Sequence, residues 1–316
     1  MLLVAAVLAV MASAPVLAAD PGAIESNLAI TMDGGVKQVS LGDALALLNI
    51  PSVSIALIDH GGIAFARAYG ENATPDTLYQ AASLSKFVAA IGAMPLVEQG
   101  KLKLDQDVND ALTSWRVPNN PYDASHKVTL RGLLSMTGGI GVPGSSATGK
   151  PIPTLPQVLD GVPPANSAPV TVTAVPGSAY YYSGGGYEIA EALIEDAAAK
   201  PFAQSMQELV LAPAGMSASS FAQPLDPRLE AKAASGHFGD GTELPGRWHI
   251  FPERAAAGLW STATDLAKPL VALTNDWRSD SRVLLRRDTW QEVLTRQNGG
   301  PDGLGAAARA TAPPSR

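Results

Sequence analysis

From Ser83 to Gln99 the chain reads Ser-Leu-Ser-Lys-Phe-Val-Ala-Ala-Ile-Gly-Ala-Met-Pro-Leu-Val-Glu-Gln, with Lys86 the only charge before Glu98. A helix that is apolar on nearly every side is stable only when other elements surround it. This segment therefore predicts a globular domain built around a central helix. Gly100 is placed to end the helix in a left-handed C′ conformation, and Pro95 should bend or shorten it. With 316 residues the chain can bury a large core as one big domain or two ordinary ones.

Composition removes several function classes. The absence of cysteine excludes a disulfide scaffold, a Cys-ligated metal and a thiol nucleophile. Twenty-two basic against 29 acidic residues give a net charge of −7, without the basic footprint of nucleic-acid binding. His60, His126, His237 and His249 show no metal-ligand spacing, and no metal or cofactor is implied.

Around the central helix, Pro51–His60 alternates apolar and polar residues, meets Gly61-Gly62, and resumes as Ile63–Tyr69, which reads as a β-hairpin. Val128–Ser135 is expected to be a short helix, and Gly138–Pro169 a Gly- and Pro-rich loop. Tyr187–Asp196 has Ile189, Leu193 and Ala197 on one face of a further helix. Ala257–Ala267 opens another, with Ser261, Thr262 or Thr264 as candidate caps before Asp265. Strands first and helices in the middle suggest an α+β domain. The chain begins with an apolar run ending in Val16-Leu17-Ala18, the pattern of a secretory signal peptide over residues 1–19, although no Lys or Arg precedes the run. The expected organisation is thus a leader, one domain over 20–303 and a disordered Ala/Arg/Pro tail over 304–316, in a periplasmic or secreted protein with no membrane attachment once the leader is removed.

Ser83 and Lys86 are three residues apart at the start of the central helix, so hydroxyl and amine share a face. A serine needs a neighbouring base to become nucleophilic. A lysine becomes that base when desolvation lowers its pKa. The helix N-terminus also directs backbone N–H groups at a developing oxyanion. Ser-x-x-Lys alone is common; its place at the head of an apolar helix distinguishes it, because an isolated ammonium there is expensive without partners.

These residues, with the leader Thr77–Ala82, resemble the active-site helix of the serine β-lactamase and penicillin-binding-protein superfamily. Val97–Val108, Val128–Ile140, Pro176–Tyr187, Leu211–Met216 and Ala257–Thr262 follow in family order, so the resemblance runs from about Ile50 to about Gly305 and is nearest the class C β-lactamase-like branch. It implies an antiparallel sheet flanked by helices, plus a mostly helical subdomain. It also implies acyl-enzyme chemistry on a β-lactam, a D-alanyl peptide or an ester, with Ser83 as nucleophile and Lys86 as general base. Tyr182-Ser183-Gly184 aligns with the family's tyrosine–x–asparagine motif, which makes Tyr182 the proton relay in preference to Tyr180, Tyr181 or Tyr187 and puts glycine where the asparagine would stand. The Lys-Thr-Gly or His-x-Gly third motif is not found after Trp260. His237-Phe238-Gly239 has the letters but precedes Ala257–Trp260, and reads as a loop before the Asp240-Gly241 turn. The resemblance therefore implies a chain lacking the closing strands and terminal helix, with impaired activity. A non-catalytic relative that binds penicillin or cell-wall peptides, or an inactive fragment, are the alternatives. The implied partner is a small-molecule, peptide or ester substrate, and oligomeric state is not readable.

Overall fold

The computed structural model describes residues 21–32, 35–122, 124–141, 151–279 and 282–297. The signal-peptide and tail expectations fall outside these residues. Four short elements precede the predicted hairpin. Helix α1 (Pro21–Ser26) leads into an antiparallel pair, β1 (Leu28–Met32) and β2 (Gly35–Val39), and Ser40 caps α2 (Leu41–Leu47). The hairpin then forms as the alternation predicts. β3 (Ser52–Asp59) pairs antiparallel with β4 (Gly62–Gly70), with Ser52 opposite Gly70 and a register irregularity at Leu57/Ile58. His60 and Gly61 both take positive φ in the turn, as a two-residue hairpin requires.

β5 (Tyr79–Gln80) leads through a 3₁₀ turn, Ala82–Leu84, into the central helix α3 (Ser85–Glu98). Every residue of α3 from Val88 to Leu96 is buried. Pro95 does not shorten the helix, which runs past it to Glu98. Gly100, at φ +72°, follows as the expected stop. The α-helix starts at Ser85 and not at Ser83 as expected: Ser83 lies in the 3₁₀ turn and Lys86 in the first turn of the α-helix.

α4 (Leu130–Leu134) begins at the Thr129 cap. The stretch expected to be one long loop contains α5 (Leu155–Asp160), started by a Thr154/Gln157 capping box and stopped by Gly161 in the left-handed region. α6 (Gly184–Ala198) is the second long helix, and is followed by α7 (Phe202–Met206) and a π-helical turn, Gln207–Leu211. α8 (Arg254–Ala257) and β6 (Trp260–Ser261) return the chain to the centre, where β6 pairs antiparallel with β5. Thr262, one of the three candidates, caps α9 (Ala263–Arg278) through the Asp265 N–H, and α10 (Arg287–Leu294) follows.

The result is the expected α+β architecture of helices with small antiparallel sheets. α9 covers β3 and β4, and α3, α6 and α8 pack against one another. One principal core joins α3, α4, α6 and the π-helical segment, with Tyr187, Phe202, Phe221 and Trp290 among its largest fully buried side chains. Burial of this apolar surface, at about 25 cal/mol per Å² removed from water, holds the three central helices together. Among the described residues no helix is long and apolar enough to cross a membrane.

Candidate active site

The head of α3 is fixed by contacts that do not depend on helix propensity. The Ala81 N–H donates to Leu259 O at 2.8 Å, and the Leu259 N–H donates to the buried Ser85 Oγ at 2.9 Å. With Gln80 opposite Trp260 in the β5–β6 pair, the chain around Leu259 is laid against residues 79–85. Gly258 permits this: a Cβ there would come within 2.7 Å of Arg254 Cα. Ala82 sits at φ +45°, in the left-handed region that costs a non-glycine residue about 1–3 kcal/mol. The strained residue immediately precedes Ser83, and the surrounding hydrogen bonds hold it there.

Tyr182 reaches the same place from the other side. Ser183 caps α6: its Oγ accepts from the Gly186 N–H and donates to Gly141 O, both at 2.9 Å. The Tyr181 N–H donates to Met136 O at 2.8 Å. Gly185 packs so closely that a Cβ would lie 3.0 Å from Gly141 O. The glycine run that opens α6 therefore lets this turn press against residues 139–141 and delivers Tyr182 to the head of α3.

The structure brings all three sequence-predicted residues together. Ser83 Oγ and Tyr182 Oη are 2.5 Å apart, and Lys86 Nζ donates to Ser83 Oγ at 3.3 Å. Lys86 Nζ also donates to Ala256 O at 2.6 Å and lies 5.2 Å from the centre of the Tyr182 ring. Ser83 is exposed, Tyr182 is half-exposed, and Lys86 is 3% exposed. The hydroxyls thus face solvent while the amine forms the floor. Burial holds Lys86 below its ordinary pKa, against the opposing pull of Tyr182, Glu253 and Glu188. Of the other tyrosine candidates, Tyr187 is committed to the core, where its hydroxyl donates to Leu134 O, and Tyr181 is half-exposed. His237 forms an antiparallel bridge with Glu243 beside the Gly241 turn, the loop position expected of it.

Two buried acidic residues that spacing does not point to, Glu188 and Glu253, act electrostatically on Lys86. Tyr187–Asp196 was expected to show one apolar face, yet α6 is buried from Gly185 to Ile194, including Glu188 and Glu191. Glu191 accepts from the Ala255 N–H at 2.8 Å and from Arg254 at 3.3 Å. Both oxygens of Glu188 and one of Glu253 have no hydrogen-bond partner. The three glycines ahead of Tyr187 are the signal that could have found this, since they predict close packing on every side of the first turn. Among the described residues no cluster of His, Asp or Glu has an arrangement that could hold a metal.

An exposed serine hydroxyl shared between a tyrosine and a desolvated lysine, at the head of a buried helix, is the arrangement that decides the comparison with known proteins. The beta-lactamase family model matches residues 43–312. The chain belongs to the beta-lactamase family. Among its relatives, esterase EstB of Burkholderia gladioli is 26% identical over 292 residues, covering 80% of this chain and 71% of the esterase. Penicillin-binding protein 4 of Amycolatopsis lactamdurans is 26% identical over 216 residues, covering 66% of this chain. The chain spans 54% of that protein's length. The solved structure of EstCE1, described as a hydrolase with promiscuous acyltransferase activity, superposes with a TM-score of 0.66 at 21% identity, over 84% of this chain and 79% of that one. That likeness establishes the fold. The family is one of serine hydrolases, and the named relatives are an esterase and a penicillin-binding protein.

Proposed function

We propose that this chain is a serine hydrolase that forms an acyl-enzyme on Ser83 with an ester or amide substrate, β-lactams included. The contact of Ser83 Oγ with both Tyr182 Oη and Lys86 Nζ carries this reading. The Ser83 proton passes to Lys86 directly or through Tyr182, as Oγ attacks the substrate carbonyl carbon. The oxyanion that forms is met by the Ser83 backbone N–H at the head of α3. Collapse of the tetrahedral intermediate breaks the bond to the alcohol or amine, which takes up the proton held by Lys86 and Tyr182. Water, activated by the same pair, then attacks the acyl carbon and releases the acid with free Ser83. A lysine can play this part because burial in the apolar interior disfavours the ammonium and lowers its pKa below the ordinary lysine value.

Gly184 favours a second outcome for the same chemistry. Without an asparagine side chain beside Lys86, acylation can outrun release, and the protein would then behave as a penicillin-binding protein. The leader-like segment 1–19 supports work outside the cytoplasm. The test is incubation of the full chain and of Ser83→Ala with p-nitrophenyl acetate and a fluorescent penicillin. Release of nitrophenol or labelling that disappears in the variant supports the proposal. Equal behaviour of the two proteins removes it.

A further inference from the structure

Glu188 is fully buried in α6, and neither of its carboxyl oxygens has a hydrogen-bond partner. Leaving such a group unsatisfied in a protein interior is costly, so its position calls for a function. Glu253, at the N-cap of α8, is 4% exposed and also has one oxygen without a partner. Neither forms an ion pair with Lys86, but both act on it electrostatically. The lysine's Nζ is bound to Ala256 O, in the helical turn that Glu253 opens, and is 5.7 Å from the ring of Tyr187, the residue preceding Glu188. α3, α6 and α8 pack against one another at this point.

Resting on the hydrolase reading above, we propose that Glu188, with Glu253 beside it, is a positioning residue for Lys86: a buried counter-charge against which the lysine gains and loses its proton. When Lys86 takes the Ser83 proton, a positive charge appears on Nζ in an apolar interior where no asparagine stands to receive it. A carboxyl group on α6 or α8 offsets that charge by ionising, its own proton released to solvent. The other groups around Glu188 do not compete for it. Glu191 is committed to Arg254 and the Ala255 N–H, and Tyr187 to Leu134 O. Tyr182 faces Ser83. Arg131 on α4 is turned to Asp105 and Glu292, Asp160 on α5 binds the Trp115 indole, and α7 carries no charge. Burial and the neighbouring acids push Glu188 up to about 9, and burial lifts Glu253 to about 7. The pair thus gains its charge across the pH range in which a lysine base works.

The experiment is the pH dependence of kcat/KM for p-nitrophenyl acetate, measured on the full chain and on Glu188→Gln, Glu188→Asp and Glu253→Gln. Removing a group that can ionise against an amine disfavours the amine's protonated form. The rising acid limb should therefore move to lower pH by about one to three units in Glu188→Gln, by a smaller step in Glu253→Gln, and return toward the parent position in Glu188→Asp. An unmoved limb in folded Glu188→Gln overturns the inference and leaves the hydrolase reading intact. Should that variant not fold, infrared spectra of the unaltered protein decide. The carbonyl band of a protonated buried carboxylic acid should diminish as Ser83 is acylated, and an unchanged band rejects the counter-charge. Absence of any Ser83 acylation removes the hydrolase reading itself.

Discussion

Replacing Lys86 by methionine separates chemistry from stability, because the two effects have opposite origins at this position. The side chain lost is 3% exposed and makes hydrogen bonds to Ala256 O at 2.6 Å and Ser83 Oγ at 3.3 Å. Leaving the Ala256 carbonyl without its donor costs about 1–3 kcal/mol. Against this, methionine fills nearly the same volume and has no charge to desolvate. The effective penalty for a buried ion is several kcal/mol, partly avoided here because the fold disfavours the ammonium. The two contributions are of similar size, so the net change in folding free energy should be small, within about 1–2 kcal/mol of zero. The rate behaves differently. A positioned general base contributes about 10²–10⁴-fold, so acylation by a nitrophenyl ester should fall by at least about 100-fold, or roughly 2.7 kcal/mol of transition-state stabilisation. Urea titration followed by circular dichroism, beside stopped-flow release of nitrophenol, measures both on one preparation. A variant that retains the parent rate, or one whose midpoint collapses in step with its activity, would refute the reasoning.

Three further outcomes follow from particular contacts. Ser183→Ala removes the α6 cap and strands Gly141 O and the Gly186 N–H; a loss of about 2–3 kcal/mol in denaturant titration is expected, with kcat falling more than KM rises because Tyr182 is the adjacent residue. Asp276→Ala leaves the N–H groups of Val283, Leu284 and Leu285 and the Trp290 indole without their buried acceptor, and the unfolding midpoint should drop by the equivalent of at least about 3 kcal/mol. Stability should decline as pH rises from about 5 to about 9. Glu253, Glu191 and Glu188 have folded pKa values raised to about 7, about 8 and about 9 from 4.5, so the folded chain holds protons that the unfolded chain releases, and their contribution is complete below 4.5 and lost through those values. Each contributes up to about 1.4 kcal/mol per pH unit over its range. Lys86, lowered by burial, opposes them with the reverse sign. A thermal midpoint that climbs steadily between pH 5 and 9 would contradict this.

The parts of the site that the sequence makes readable are those where residue type and spacing have one physical meaning. An apolar segment that carries a single lysine has to be buried, and Ser83 three residues earlier has to be near that lysine, whatever the rest of the chain does. Tyr182 could be chosen over three neighbouring tyrosines only through the family motif, and the structure gives the contact that spacing alone does not: its hydroxyl stands 2.5 Å from Ser83 Oγ. Glu188 and Glu253 were not readable because a carboxylate in an amphipathic pattern is ordinarily a solvated group. Only the closure of α3 and α8 over α6 takes these two out of water. The same holds for the β5–β6 pair, since strands of two residues carry no periodicity to detect. α5 was hidden inside a Pro- and Gly-rich stretch whose capping box, Thr154 to Gln157, is nevertheless plain once the helix is known.

The central claim is that Ser83 is the atom that bonds to substrate. Intact-mass and peptide mass spectrometry after brief exposure of the full chain to a p-nitrophenyl ester or a penicillin, quenched in acid, measures this directly. The account predicts one acyl adduct on the peptide holding Ser83, lost in Ser83→Ala and formed at least about 100-fold more slowly in Lys86→Met. An adduct confined to another residue, or a Ser83 that stays unmodified while the substrate is turned over, would contradict it.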